Sequence, residues 1–227
     1  MMFHVKPVFD NNKFFCQLLD HGINVTAEQS AKIDHYCELI KIWSKRKNLV
    51  SRPDLDRLME RHVAPSIYVS QIIKNDSGAR MADIGSGAGF LGIIIKIFIP
   101  QISICLIDSS RKKYLFLVEA CEALNIDCNV IHERVEKASR FISQPLDLIV
   151  CRGVAPLHLL WSWSKPLLKK TGTLYALKGG NIDQEIEKLE KLDLSISIIK
   201  PDGYWSSLSD VLNDKCVISL RSNYGRK

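Results

Sequence analysis

The chain of 227 residues allows one large domain, or one domain with a small appendage. Its composition, with 46% hydrophobic and 25% charged residues, excludes a disordered or low-complexity protein and predicts a substantial core. The formal net charge of +6 is compatible with a polyanionic partner but does not require one.

The first third of the chain has helical periodicity. Residues 13–19 are predicted to form a short helix that ends at Gly22, because glycine suits a left-handed cap. Thr26 and Gln29 have the spacing of a capping box, and they predict a second helix that runs to about Arg46 with one apolar face.

Two prolines divide the rest of this helical region. Pro53 predicts the opening of another helix, whereas Pro65 predicts an interruption before the apolar segment at residues 67–73. We therefore expect three or four helices in residues 1–77, packed in one compact unit on a core formed by residues 78–227.

From residue 78 onward, short apolar runs alternate with amphipathic stretches, which is typical of strand–helix–strand units around a mostly parallel sheet. Seven strands are predicted, at residues 80–84, 103–107, 128–131, 146–151, 173–177, 195–199 and 216–221. The main helices are predicted at residues 90–99, 112–124, 158–168 and 183–191. Because no helix of comparable length joins the last two strands, one of them is expected to be an antiparallel edge strand.

The segment "MADIGSGAGFLGIIIKIFIP", residues 81–100, joins a predicted strand to a predicted helix through a glycine-rich bend. Gly85, Gly87 and Gly89 allow a sharp turn, and they let a ligand approach the backbone without meeting a Cβ. A dinucleotide-binding motif would have its third glycine where this chain has Phe90. The bend therefore predicts a nucleotide cofactor and disfavours a pyrophosphate.

Two acidic residues indicate which nucleotide cofactor is favoured. Asp83, two residues before the first glycine, would repel a pyrophosphate and suit an amine or a sulfonium group. Asp108 follows Gly85 by 23 positions, near the roughly 20-residue offset at which an acidic side chain meets a ribose hydroxyl pair. Each acid could instead be a helix cap or a loop anchor. Together they favour an adenosyl cofactor, with Asp83, Asp108 and Gly87 among its contacts.

Several separate segments resemble a known family. They are "DIGSGAGFLGI", "LIDSSRKKYLFL", "RVEK", "CRGVAPL" and "YALKGG", in this order and at these spacings, together with the upstream "IWSKRKNLVS" and "RHVAPSI". These segments resemble the bacterial 16S ribosomal RNA guanine-N7 methyltransferase G family, also called glucose-inhibited division protein B. The resemblance covers about residues 22–180.

The resemblance implies an α/β fold of the Rossmann-like class I methyltransferase type, here a seven-stranded, mostly parallel sheet with a helical N-terminal extension. It implies S-adenosyl-L-methionine as methyl donor, S-adenosyl-L-homocysteine as product, and N7 of one guanine in 16S ribosomal RNA as acceptor, in naked RNA or in the small ribosomal subunit. We expect a monomer. By position, the family's cofactor contacts fall on Gly85, Phe90, Val135, Glu136 and Arg152.

The chain departs from the family's pattern at two positions. Leu91 stands where the family usually has a proline, and this change should alter only the start of a helix. Pro65 stands where the family has an aspartate, which removes a carboxylate near the expected RNA or cofactor entrance. A non-catalytic RNA-binding protein with the same fold is therefore an alternative.

Methylation at guanine N7 makes few demands on catalytic side chains. N7 has an in-plane lone pair and no proton, so neither a general base nor a covalent nucleophile is needed, and positioning can contribute roughly 7 to 11 kcal/mol. Cys151 is accordingly expected to be a packing residue. Arg152, at the carboxyl end of a strand, could donate to the cofactor or to guanine O6, or form a salt bridge at a helix end.

A second alternative is an NAD(P)-binding oxidoreductase, which shares the order of strand, glycine-rich bend, helix and acid. It is disfavoured by Asp83 and by the missing third glycine.

Basic residues indicate where RNA could bind. Charge on one surface can follow a phosphate backbone regardless of sequence, although such residues can equally form a solvated helix face. Lys178, after the fifth predicted strand, could contact a phosphate or be a surface lysine. The candidates in the helical region are Lys41, Lys45, Arg46, Lys47, Arg52 and Arg61.

The sequence indicates no membrane span, no secretory signal and no metal site. The apolar run at residues 90–99 contains Lys96 and has about half of the roughly 20 residues that a membrane span requires. The N-terminus lacks the hydrophobic region of a secretory signal, so we expect a cytoplasmic protein. Seven cysteines without a C-x-x-C pair and six histidines without ligand spacing predict free thiols and no metal.

Overall fold

The computed structural model describes residues 11–223. The prediction that the N-terminus contains no secretory signal concerns a segment that lies mostly outside the described residues. The described chain has a helical N-terminal part, followed by a sheet with helices on both faces. Within residues 11–223, none of the helices combines the length and the apolar character that crossing a bilayer requires.

Among the described residues, four α-helices precede the first strand, and most of their predicted bounds are confirmed. Gly22 follows the first helix with a φ of +74°, and Thr26 and Gln29 form both hydrogen bonds of the predicted capping box. The helices are α1 (Asn11–Asp20), α2 (Ala27–Lys47), α3 (Arg52–Leu55) and α4 (Ala64–Ile72).

Pro65 does not interrupt the helical path, and the predicted break before residues 67–73 is wrong. A π-helical turn at Met59–Val63 runs directly into α4, and Pro65 lies in the first turn of that helix. Proline is tolerated there because a first-turn residue needs no backbone N–H for the helix. The chain leaves the helical path at residues 56–57 instead, immediately after α3.

All seven predicted strands are present, and they form one sheet. They are β1 (Arg80–Ile84), β2 (Ser103–Asp108), β3 (Asn129–His132), β4 (Leu146–Arg152), β5 (Leu168–Gly179), β6 (Leu194–Ile199) and β7 (Lys215–Ser222). Their order in the sheet is β3-β2-β1-β4-β5-β7-β6, and neighbours are parallel from β3 to β5. The predicted mostly parallel sheet is confirmed.

One of the last two strands is an edge strand in an antiparallel pairing, as expected, but the strand that runs opposite to the others lies one position inside the edge. β7 pairs in antiparallel register with both β5 and β6, so β6 is the edge strand. Four residues of β7 are buried, whereas no residue of β6 is fully buried. This burial agrees with the interior position of β7, where neighbouring strands cover both of its edges.

Helices connect the strands and cover both faces of the sheet. They are α5 (Phe90–Phe98), α6 (Arg111–Ala123), α7 (Leu157–Ser164), α8 (Asp183–Glu190) and α9 (Gly203–Leu208). Helix α7 ends four residues before the predicted residue 168, because Leu168 already pairs with Leu146 at the start of β5.

Alternate residues of β1 point to opposite faces of the sheet and join two apolar clusters. Met81 belongs to the cluster that includes residues of α2, α4, α5 and α6, and Ala82 belongs to the cluster that includes residues of α7 and α8. Because helices cover both faces, a ligand can enter at the carboxyl ends of the strands. The strand order reverses between β1 and β4, which is where open α/β sheets bind their ligands.

Candidate functional site

A cavity of about 550 Å³ lies at the carboxyl ends of β1, β2 and β4, and its size is typical of small-molecule sites. All eight residues that the sequence predicts as cofactor contacts line it. They are Asp83, Gly85, Gly87, Phe90, Asp108, Val135, Glu136 and Arg152. The fold therefore makes all of them available to one ligand.

The glycine loop lines the cavity, and its backbone is open at Gly87, where a Cβ would have no atom closer than 3.9 Å. Gly85 and Gly87 have φ values of +67° and +62°, in the left-handed region that favours glycine. A Cβ on Gly85 would lie 2.7 Å from Cγ2 of Val154, so Val154 packs directly against this glycine. Any larger side chain at this position would displace Val154, which also lines the cavity.

Asp83 anchors a helix and lines the cavity at the same time. Its side chain is nearly inaccessible, and Oδ2 accepts a hydrogen bond of 3.0 Å from the N–H of Gly92 in the first turn of α5. Burial raises the pKa of Asp83 to about 7, and the hydrogen bond from Gly92 opposes that rise. A positively charged ligand nearby would favour the ionised carboxylate.

Asp108 holds the glycine loop against β2. Its Oδ2 accepts a hydrogen bond of 2.9 Å from the N–H of Gly87, and Oδ1 accepts one of 2.8 Å from the N–H of Ser110. The loop-anchor alternative is therefore part of its role. Each carboxylate oxygen can still accept a second hydrogen bond from the cavity, as a ribose would require.

Arg152 closes the cavity on the side of the N-terminal helices. Its Nη2 donates a hydrogen bond of 2.7 Å to the main-chain carbonyl of Arg61, while Nη1 is buried and has no partner among residues 11–223. Burial lowers the pKa of Arg152 to about 10, so the guanidinium is charged at neutral pH. This wall of the cavity therefore contains a charged donor, Nη1 of Arg152, that forms no hydrogen bond with the described residues.

His62 is a residue of this site that the sequence did not single out. Its ring stacks on Phe90 with the ring centroids 4.0 Å apart and an angle of 9° between the planes. Burial, assisted by the charge of Arg152, lowers the pKa of His62 to about 3, so the imidazole is neutral. No local sequence pattern predicts this stacking contact, because 28 positions separate His62 and Phe90 in the chain.

Two basic clusters that are far apart in the sequence adjoin in the structure. Lys112 at the start of α6 donates hydrogen bonds to the carbonyls of Lys47 and Asn48 at the end of α2, at 2.8 and 3.0 Å. Lys113, the next residue, lines the cavity. We call this surface the basic patch, and it consists of Lys45, Arg46, Lys47, Arg111, Lys112 and Lys113. It leads directly to the cavity mouth.

The other predicted RNA contacts differ in how available they are. Arg52 is exposed, and Lys41 forms an exposed pair with Glu38. Arg61 is held by Asp54 at 2.6 Å. Lys178 is paired with Glu185 at 2.9 Å and its side chain is only 12% exposed, so it is not the open surface lysine that the sequence suggested.

The cysteines lie mainly inside the fold. None of the seven forms a disulfide bond. Cys151 is fully buried, and burial raises the pKa of its thiol, as expected of a packing residue. In the part of the chain that the structure describes, no three His, Cys, Asp or Glu side chains are close enough together to hold a metal ion. Trp163 of α7 also lines the cavity.

Comparison with known sequences gives one consistent family. Residues 29–201 match the family model described as GidB, rRNA small subunit methyltransferase G. The chain is 35% identical over 191 residues to the Ribosomal RNA small subunit methyltransferase G of Gluconobacter oxydans (strain 621H), covering 82% of this chain and 96% of that protein. It is 36% identical over 171 residues to the protein of that name from Chlorobaculum tepidum, covering 73% and 76%.

Solved structures share the fold at low sequence identity. The precorrin-6y C5,15-methyltransferase from Geobacter metallireducens GS-15 superposes with a TM-score of 0.56 at 12% identity, covering 78% of this chain and 92% of that one. A Streptococcus mutans protein in complex with SAH superposes with a TM-score of 0.53 at 13% identity, covering 69% and 96%. At these identities the similarity concerns the fold alone.

Proposed function

Because the chain belongs to the rRNA small subunit methyltransferase G family, we propose that it transfers a methyl group from S-adenosyl-L-methionine to N7 of a guanine in 16S ribosomal RNA. It is an S-adenosylmethionine-dependent rRNA methyltransferase with a Rossmann-like class I fold. The observation that carries the proposal is the cavity where the glycine loop, two acidic side chains and Arg152 meet.

The cavity residues fit the cofactor. Gly87, where a Cβ would have no atom closer than 3.9 Å, leaves room for a ligand against the backbone. The Asp83 carboxylate suits a positively charged group, and Asp108 can accept hydrogen bonds from ribose hydroxyls. When bound, S-adenosylmethionine supplies a methyl group on a positively charged sulfur, and S-adenosylhomocysteine is the product. The further proposed contacts are Gly85, Phe90, Val135, Glu136 and Arg152.

The part of the cavity wall formed by Arg152 and His62 is to orient the acceptor base. Guanine N7 has no proton to lose, so the residues of this chain need only to position the base and exclude water. The unpartnered Nη1 of Arg152 is a suitable donor for guanine O6, which lies beside N7 on the same edge of the base. Neutral His62 forms the adjoining part of this wall.

The basic patch is the proposed path of the RNA phosphate backbone. Its cations at the end of α2 are exposed, and Lys113 brings positive charge to the cavity mouth. Lys41 and Arg52 extend the candidate surface, whereas the ion pairs of Arg61 and Lys178 make these two residues less available to phosphates. Because its substrate is ribosomal RNA, we propose that the protein acts in the cytoplasm.

Affinity for S-adenosylmethionine is expected to rise as the pH increases through about 7, because Asp83 must lose its proton to attract a cation. In the unliganded protein, the raised pKa of Asp83 has the opposite consequence: the free energy of unfolding falls as the pH rises. The raised pKa favours folding below about pH 4, and this contribution to stability is lost as the pH rises toward 7 and beyond.

Calorimetric titration between pH 6 and pH 8 measures the first effect, and urea unfolding without ligand measures the second. Asp83→Asn is the matched variant, in which both dependences should become flatter. An affinity that is equally dependent on pH in this variant would assign the effect to another group.

Methyl transfer tests the proposed function directly. The purified protein, labelled S-adenosylmethionine and small ribosomal subunits from cells without this gene are expected to yield labelled RNA, with N7-methylguanine at one position. Intact cofactor binding without transfer would support a non-catalytic RNA-binding protein. Thermal stabilisation by NAD(P) but not by S-adenosylmethionine would support the oxidoreductase, since a ligand at 100 times its Kd adds about 2.7 kcal/mol.

A further inference from the structure

The π-helical turn before α4 leaves two main-chain carbonyls free of their usual helical donors. In this turn the N–H of Ala64 donates to the carbonyl of Met59, five residues back, instead of to Glu60. The carbonyl of Glu60 accepts a hydrogen bond of 2.6 Å from Oγ of Ser209. Turns of this kind occur frequently at functional sites, where they redirect backbone groups.

The second free carbonyl belongs to Arg61, and Pro65 is the reason. In a regular α-helix, the carbonyl of Arg61 would accept the N–H of residue 65, but proline has no N–H. That carbonyl instead accepts the 2.7 Å hydrogen bond from Nη2 of Arg152. Arg152 is thus attached to the backbone of the N-terminal helices, 91 residues away in the chain.

This contact constrains where the rest of the guanidinium can point. The guanidinium is planar and rigid, so holding Nη2 limits the positions that Nη1 can take. Nη1 is buried and has no partner among the described residues, and Arg152 lines the cavity. Asp54, the nearby carboxylate, is hydrogen-bonded to Arg61 and Ser51, so it does not take this place.

We propose that Pro65 is a positioning residue for Arg152: because proline has no N–H, it withholds the usual helical donor from the Arg61 carbonyl, and the bond that this carbonyl accepts from Nη2 directs Nη1 of Arg152 toward the acceptor guanine. This inference rests on the proposed function. It also assigns Pro65 a function in this chain, whereas the sequence indicated only that a carboxylate is missing at this position.

The test is Pro65→Ala, which restores an N–H that competes for the Arg61 carbonyl. With subunits from cells without this gene as substrate, kcat/KM is expected to fall at least about 10-fold. In an Arg152→Ala background, the same substitution should cause no further loss, because the residue through which it acts is absent. The control is Pro166→Ala, at an exposed proline outside the cavity lining, which should leave kcat/KM unchanged.

A crystal structure of the Pro65→Ala protein provides a readout that does not depend on activity. The N–H of residue 65 is expected to bond to the Arg61 carbonyl, with the guanidinium of Arg152 displaced. An unmoved guanidinium, or an equal loss of activity in the Arg152→Ala background, would overturn the inference. An inactive wild-type protein would count against the proposed function instead, and the crystal structure would still decide the role of Pro65.

Discussion

Replacing Gly85 with valine is expected to lower the affinity for S-adenosylmethionine by at least about 100-fold, or about 2.7 kcal/mol. Two physical effects act together. The φ of +67° is unfavourable for any β-branched residue, and the new Cβ would lie 2.7 Å from Cγ2 of Val154, a neighbouring side chain that lines the cavity and would have to move. Calorimetric titration with S-adenosylmethionine measures the loss.

Gly78→Val is the matched control for this substitution. Gly78 also has a left-handed backbone, with φ of +85°, but a Cβ there would meet no atom within 4 Å and the residue does not line the cavity. It should therefore cost stability without reducing cofactor affinity. Equal losses of affinity at Gly78 and Gly85 would show that backbone strain, and not the cavity, is responsible.

Reversing three charges of the basic patch is expected to have a comparably large effect on RNA binding. Substituting glutamate at Lys45, Arg46 and Lys47 should weaken binding of the small ribosomal subunit at least about 100-fold at low salt. If each cation contacts one phosphate, the slope of log K against log[salt] should become shallower by about 2 to 3. Cofactor affinity should not change, because these side chains do not line the cavity.

The control for charge alone is the same reversal at three exposed lysines near the opposite face of the sheet. These are Lys165, Lys188 and Lys191, on or next to α7 and α8. This variant has the same net charge as the first but retains the patch. Similar weakening by both variants would mean that RNA affinity depends on the total charge and not on the basic patch. A wild-type affinity that does not depend on salt would contradict the proposed contact between the basic patch and RNA phosphates.

The strands could be predicted because their signals are local. Short apolar runs bounded by polar residues mark buried parallel strands, and all seven were located within a few residues, except that β5 begins earlier than predicted. The position of β7 could not be predicted in the same way. Which strand fills an interior position depends on the relative burial of β6 and β7 against β5, which no local pattern contains.

Pro65 shows the limit of local rules for helices. Proline in a helical pattern predicts a break, and the rule fails here because the turn before it adopts π-helical hydrogen bonding. The energetic reason is non-local. The carbonyls released by this arrangement bond to Ser209 and Arg152, which come from distant parts of the chain.

The amino-acid sequence by itself determined the seven strands, the glycine loop and its two acids, because strand periodicity and backbone freedom are properties of neighbouring residues. Only the tertiary structure decided that His62 covers Phe90, that Arg152 is held by the Arg61 carbonyl, and that the ends of α2 and α6 form one basic patch. Each of these contacts joins segments tens of residues apart. Such contacts depend on how elements pack, and packing is decided by the whole core at once.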